Sequence, residues 1–459
     1  MKKTRNKKGS IAVFLTSILA TMIIVSMVFV QAASSICGAS YADAVLELAG
    51  RSVLSEFDKR LKDEYGLFAF YGLEDMVASN VKTYASASFD KAYPNESLWG
   101  GGSDDGTVDL LKLKLQSAKV NMAAYSLADV DVFEKQIEEY MEFMLLEKGI
   151  DFIKDMWKKR GGKPAGALGG DDQDEQDAKS VQSEQKALMN KVEISSLPSH
   201  GNTRNGLGIF QSLASLEKFG SVGDIFKEGA TAIKVDEYIM SNFKYYIGGD
   251  KARDTFFNNE VEYILFGKMN DKSNLDNLKL DFLVMRTALN ENFIHTDPEL
   301  QKIIIATAET LGVAGIVLET VVTSIWALAE AENDWRLLLE GRKVPLVKTN
   351  KSWALSLKSV ARFKKIKNDD GEVEGVNATA KKISKCVYPP ANTGLSYEGY
   401  LRIFLFIENR EYKLMRVMDL IQLNLRGSYY GDFLIKDHYT GFSLEAVVSG
   451  KKFEYEQKY

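Results

Sequence analysis

Residues that carry most enzymatic and metal chemistry are scarce in this sequence. Of 459 residues, three are histidine (His200, His295 and His438) and two are cysteine (Cys37 and Cys386). The histidines stand far apart, and none has a second histidine or a cysteine three or four places on, which argues against a histidine-rich zinc site. A nucleophile elbow, a phosphate-cradling glycine loop and an HExxH helix are also missing, so the usual signals of hydrolases, nucleotide binders and metalloproteases are absent. No catalytic, metal-binding or cofactor-binding residue is assigned, no cofactor is expected, and the chain is read as a non-enzyme. No repeat of fixed period is visible either, which sets solenoids and propellers aside.

Charge is missing from one long stretch. Between Ser10 and Ala42 no side chain is charged. The 23 residues Ile11–Ala33 form a helix of about 35 Å at ~1.5 Å per residue, enough to cross a hydrocarbon core of about 30 Å. A secretory signal has an apolar run of only about 7–15 residues followed by a small-residue cleavage site. Val30-Gln31-Ala32 resembles such a site, so a cleaved signal stands as the alternative to a permanent anchor. The anchor is favoured because no proline or turn cluster interrupts the helical reading before Tyr65-Gly66. Lys2, Lys3, Arg5, Lys7 and Lys8 precede the span, whereas Asp43, Glu47, Glu56 and Asp58 follow it with only Arg51 among them. The positive-inside rule then keeps residues 1–10 cytoplasmic and places the bulk of the chain outside the cell membrane. A rival span, Ile303–Leu328, is cut by Glu309 and Glu319 into stretches too short to cross, and reads as a buried helix of a folded domain.

What remains has ordinary globular composition, 45% hydrophobic and 26% charged, long enough for two or three lobes. The net charge is -5; with five cations in the first eight residues, the exported part carries about -10, a poor surface for nucleic acid. Cys37 and Cys386 lie in a compartment where disulfides persist, so they either pair or remain two small apolar thiols. Ile36 before Cys37 argues against a lipoprotein signal, which wants a small residue there.

Beyond the membrane, Tyr41–Leu61 reads as one helix with two apolar stripes. Tyr41, Val45 and Leu48 mark one stripe; Leu46, Val53, Phe57 and Leu61 mark the other. Such a helix wants two partners, either its own fold on both sides or its own fold and a neighbouring subunit. Leu111, Leu113 and Leu115 alternate with polar residues in a half-buried strand over 106–120. Val132–Trp157 returns to helical spacing, and residues 34–159 are taken as one membrane-proximal α+β region. Residues 160–186, glycine-rich and then acidic, read as a linker or disordered loop. Asp171, Asp172, Asp174 and Glu175 offer oxygen ligands for calcium but lack the spacing of a calcium loop, and are read as a solvated charge run.

Residues 187–459 are read as a helix-rich α+β domain. Leu275, Leu278, Phe282, Met285, Leu289 and Phe293 step by three and four, leaving Arg286 and Asn290 one turn apart on a flank. Ile303–Leu339 reads as two helices bent near Gly312 or Gly315. Glu330 and Asp334 near its end are a carboxylate pair, for which a helix-packing or surface ion-pair role outweighs acid–base catalysis. After Tyr388-Pro389-Pro390, Tyr397–Asn424 reads as one helix. Phe442, Leu444 and Ala446 then alternate with Ser443, Glu445 and Val447, and Phe453 and Tyr455 follow Ser449-Gly450, giving a C-terminal β-hairpin.

Several blocks together carry a resemblance. KKGSIAVFL at residues 7–15 looks like the pilin-like N-termini of tight-adherence pilus proteins. RSVLSEFDKRLKDEYGLFAF, VEYILFGK, SIWALAEAENDWRLLLEGRKVPL and GLSYEGYLRIFLFIENREYKLMRVMDLIQLNL resemble a bacterial family, domain of unknown function 5702. The resemblance implies a single-pass, outward-facing membrane protein of bacteria with tight-adherence-like pilus or secretion systems, and no enzyme activity. A prepilin has a glycine before the apolar helix and a glutamate at the fifth position after the cut. Gly9 fits, but the fifth residue counted from Ser10 is Phe14, which puts processing after Gly9 in question. The expected fold is α+β, with a transmembrane helix continuing into a helix-rich extracytoplasmic domain. The expected role is that of a minor or accessory pilus-like component with the lipid bilayer and envelope proteins as partners. A tethered adhesive or ligand-binding protein acting through loops 95–106 and 160–186 is the alternative.

Overall fold

The computed structural model describes residues 7–90, 111, 113–159, 194–206, 222–249, 255–310, 316–355, 380–381 and 393–459. The architecture is α+β, rich in helices, with antiparallel strands closing in a C-terminal hairpin. The chain divides into two compact units, residues 1–132 with 436–459, and residues 133–435. The last strands thus belong with the first 132 residues, not with the segment that precedes them in sequence. The linker expected at 160–186 and the loop 95–106 lie outside the described residues, as do Cys386, Gly312 and Gly315.

The first unit begins with α1, Lys7–Leu54, a 48-residue helix. It stops at Leu54, short of the Leu61 that periodicity suggested. Asp58 explains the restart: its Oδ1 accepts from the N–H groups of Arg60 (2.8 Å) and Leu61 (3.0 Å), capping α2, Lys59–Tyr65. Gly66, in the left-handed region at φ 70°, closes that helix. β1 (Phe70–Tyr71) leads to α3 (Glu74–Asp90), and β2 follows at Leu115–Asn121. The half-buried strand thus starts later than the Leu111–Leu115 alternation implied. β3 (His438–Tyr439), β4 (Gly441–Val448) and β5 (Lys451–Lys458) complete the unit.

β1 pairs with β3, and β2, β4 and β5 form an antiparallel sheet in that order. A two-residue turn, Ser449 (φ 50°) and Gly450 (φ 82°), joins β4 to β5 as the twist of a hairpin demands. Phe442, Leu444, Ala446 and Val448 alternate inward from β4 onto Val77, Val81 and Ala85 of α3. The same core takes Ala42, Val45, Leu46, Ala49 and Val53 from α1, one stripe at helical spacing. The expected second stripe dissolves: Val45 joins the core, Tyr41 is half-buried and Leu48 is 58% exposed.

The second unit holds the rest of α4 (Val130–Lys159), then α5 (Val222–Asn242), α6 (Glu260–Phe266), α7 (Asp271–Thr296), α8 (Pro298–Thr310) and α9 (Ile316–Leu339). Two helices, α10 (Tyr397–Ile407) and α11 (Arg410–Ser428), replace the single helix expected over 397–424. Asn409 makes the break: its backbone leaves the helical region (φ -57°, ψ 127°), and its Oδ1 accepts from the N–H of Tyr412 at 3.1 Å. The two-helix reading of 303–339 holds in α8 and α9. Every residue of α6 is buried. Its C-terminal carbonyls are met by arginine: Arg416 Nη1 donates to Ile264 O (2.9 Å) and Leu265 O (2.8 Å), and the N–H of Arg204 donates to Phe266 O (2.9 Å).

Candidate functional site

Two places stand out, one in each unit. In the second unit, Glu330 and Asp334 of α9 meet Arg286 of α7 and Lys348 of the following loop, all with side chains fully out of solvent. Lys348 Nζ stands 2.6 Å from Glu330 Oε1 and 2.7 Å from Asp334 Oδ1. Arg286 Nη2 and Nε reach Asp334 Oδ2 at 2.8 and 3.2 Å, and Arg286 Nη1 donates to Leu346 O at 2.6 Å. The N–H groups of Ala354 and Leu355 donate to Glu330 at 3.0 and 3.2 Å. Asn290 accepts from Arg286 and donates to Ala327 O. Arg286 and Asn290, expected on a flank, therefore lie in the seam between α7 and α9. Their polarity disguised it.

Burial pushes the Glu330 carboxyl up, against the pull of the Lys348 ammonium. The group is charge-balanced and each carboxylate oxygen already accepts a hydrogen bond, so it acts as a staple between two helices and a loop. Its carboxylates have no open side toward a substrate. Elsewhere in this unit Glu262 is also fully buried; Tyr397 Oη and the N–H of Tyr246 donate to its Oε1 at 2.5 and 3.0 Å. Desolvation raises it to about 7.

The histidines do not converge. His438 lies in the first unit, buried, with Nε2 3.6 Å from Asp58 Oδ2. Burial favours the neutral Asp58 carboxyl, but the hydrogen bonds from His438 and Leu61 outweigh it and hold the group below its ordinary pKa. Cys37 is exposed and free. Among the described residues no group of three or more His, Cys, Asp or Glu is placed to hold a metal.

The second place is the seat of α1 in the first unit. Residues 12–33 of the helix are exposed on every face. Ser34, one residue past the end of the apolar span, is the first part-buried residue, and Gly38 is the first buried one. From there β5 runs alongside α1 in the same direction. Lys451 Nζ donates to Ser35 O (3.1 Å) and Oγ (3.0 Å), Tyr455 Oη donates to the Asp43 carboxylate, and Tyr459 Oη donates to Leu54 O. The spacing is physical: eight helical residues from Ser35 to Asp43 rise about 12 Å, and four strand residues from Lys451 to Tyr455 about 13 Å.

Glycine permits the closest approach. A Cβ on Gly50 would stand 2.8 Å from Gln457 Cγ. On the other side, Tyr41 Oη donates to Ser88 O of α3 at 3.0 Å. Burial, and then the Asp43 carboxylate, raise the Tyr455 phenol above its usual range, so it stays a donor. The arrangement fixes one end of a long apolar helix rigidly in a folded unit and leaves the rest bare. Sequence reasoning found the helix and the hairpin but missed Ser35, Asp43 and Lys451 as joint residues. The period-two tail KKFEYEQKY was the available signal, since its odd positions all face α1.

A family model described as a family of unknown function (DUF5702) matches residues 175–450, more than half of the chain. The match takes in α5–α11, β3 and β4, whereas α1–α4 precede it. No curated protein and no solved structure matches. The chain belongs to the family of unknown function DUF5702.

Proposed function

We propose that the protein is a single-pass membrane-anchored structural component of the cell envelope, with residues 1–10 cytoplasmic, Ile11–Ala33 in the bilayer and the rest extracytoplasmic. The observation that carries this is the coincidence of two boundaries. The apolar span Ile11–Ala33 gives way to Ser34-Ser35, and Ser34 is also where the helix, exposed on every face up to residue 33, first becomes part-buried. A helix apolar on all sides is stable where its surroundings are apolar, and the five cations before it favour the inner side.

Within that reading, a minor or accessory role in a tight-adherence-like pilus or secretion apparatus rests on the likeness of KKGSIAVFL to pilin N-termini. One unbroken helix that leaves the membrane and packs on an antiparallel sheet also suits it. Partner envelope proteins would meet the outward face of α1, where Ile36 (67% exposed) and Leu48 stand clear of the core.

Orientation is tested by thiol labelling of intact cells in a Cys37→Ser, Cys386→Ser background. Ser449→Cys is expected to react with a membrane-impermeant reagent and Ser10→Cys is not. The reverse pattern, or a mature chain that starts near Ala33 and leaves the membrane fraction, would overturn the anchor. Crosslinking at Ile36→Cys and Leu48→Cys should capture pilus-apparatus proteins; capture of none would favour a tethered adhesive module instead.

A further inference from the structure

The joint between α1 and the β4–β5 turn encloses a cleft of about 210 Å³ at the point where the apolar span ends. Gln31, from the last turn of the span, lines it together with Ser35, Gly38, Leu113, Ser449 and Lys451. Lys451 is exposed and gives two of its three ammonium protons to Ser35. Among the described residues it makes no ion pair. Lys114 is exposed as well, and its backbone is tied to the turn in both directions: its N–H donates to Ser449 Oγ (3.1 Å) and its carbonyl accepts from the Ser449 N–H (3.0 Å).

The nearest acid on α1, Asp43, lies eight residues past Ser35, about 12 Å farther from the span, and is engaged by Tyr455. Among the described residues that line the cleft, Lys451 is thus the charged one. We propose that this cleft is a lipid site: Lys451 binds the headgroup phosphate of an anionic phospholipid of the outer leaflet, and Leu113 and Gly38 receive the glycerol end. Interfacial lysines are attracted to anionic lipid, and the hairpin's basic tip would hold the exported domain against the membrane. Lys451 does not oppose the orientation signal, because it is 416 residues from Ser35 in sequence and that signal is read from short flanks.

This inference rests on Ile11–Ala33 being membrane-embedded. The full chain is placed in nanodiscs of equal phosphatidylcholine and phosphatidylglycerol, released gently, and the retained lipids are counted by mass spectrometry. The wild type should be enriched in phosphatidylglycerol. Lys451→Glu should lower that enrichment by about threefold or more, and Lys451→Arg should keep it. Lys451→Gln, gentler on the Ser35 contact, should lower it less. Lys458→Glu, at the other end of β5, should leave it unchanged; residues 2–8 contribute equally in every variant. Equal enrichment in wild type and Lys451→Glu, or an equal loss in Lys458→Glu, overturns the lipid site and leaves the anchor standing. A chain that never enters the discs overturns both.

Discussion

Arg286, Glu330, Asp334 and Lys348 sit together without solvent, and that is costly unless each charge is fully met. Here each is met, by its opposite and by backbone groups of Leu346, Ser352, Ala354 and Leu355. Removing one member strands the others. Asp334→Ala leaves both the guanidinium and the ammonium short of a partner, and should cost about 3–5 kcal/mol, read as a shift in the chemical denaturation midpoint of the detergent-solubilised chain. Glu262 gives a pH test with a definite sign. Its folded pKa, about 7, exceeds its ordinary value of 4.5, so the fold holds the proton more tightly than the unfolded chain does. The stability this supplies is full below about pH 4.5 and is lost as pH rises toward 7, on the order of 3 kcal/mol. Asp236, raised to about 6 by burial against the pull of Lys413, acts in the same sense. Stability measured from pH 4.5 to 7.5 should therefore fall, and Glu262→Gln should flatten part of that slope.

At the scale of elements, α1 depends on two glycines of different use. A Cβ added at Gly38 would meet Leu113 at ordinary contact distance, whereas Gly50 admits Gln457 where no Cβ fits. Gly50→Val should destabilise the first unit by about 1–3 kcal/mol through overpacking, and Gln457→Ala in the same chain should recover part of it, a coupling visible in a double-mutant cycle. Asn409→Ala removes the cap that separates α10 from α11 and should cost about 1 kcal/mol in thermal unfolding. These elements also show what the sequence made legible. The spacing of apolar residues located α4, α7, α9 and the hairpin, because burial of one face enforces a period. Helix ends escaped it, since Asp58 and Asn409 cap through a single oxygen that leaves no periodic trace. Arg286 and Asn290 escaped it for another reason: a polar residue reads as solvent-facing until its partners, 48 and 60 positions away for Arg286, are known. The seat of α1 escaped it because Asp43 and Tyr455 meet across 412 residues.

For the whole molecule, the first unit is built from both ends of the sequence, and the residues of the second unit lie between them in chain order. Such a unit cannot bury its core until the last strands exist. Phe442, Leu444, Ala446 and Val448 supply one wall of that core, and β5 supplies every hydrogen bond described above between the strands and α1. Until then α1 and α3 share a core that lacks one wall, and β2 has no strand to pair with. The second unit has a different standing, since α6 is enclosed by residues of its own segment, such as Arg204 and Arg416. Truncation after Ile435 should therefore act on one unit alone. Amide hydrogen exchange on the truncated chain in detergent is expected to show residues 115–121 exchanging at the rate of an unfolded segment while residues 260–266 keep their protection. Loss of protection in both would mean that the second unit borrows its stability from the first, and retained protection in β2 would mean that α1 and α3 hold that strand without β4.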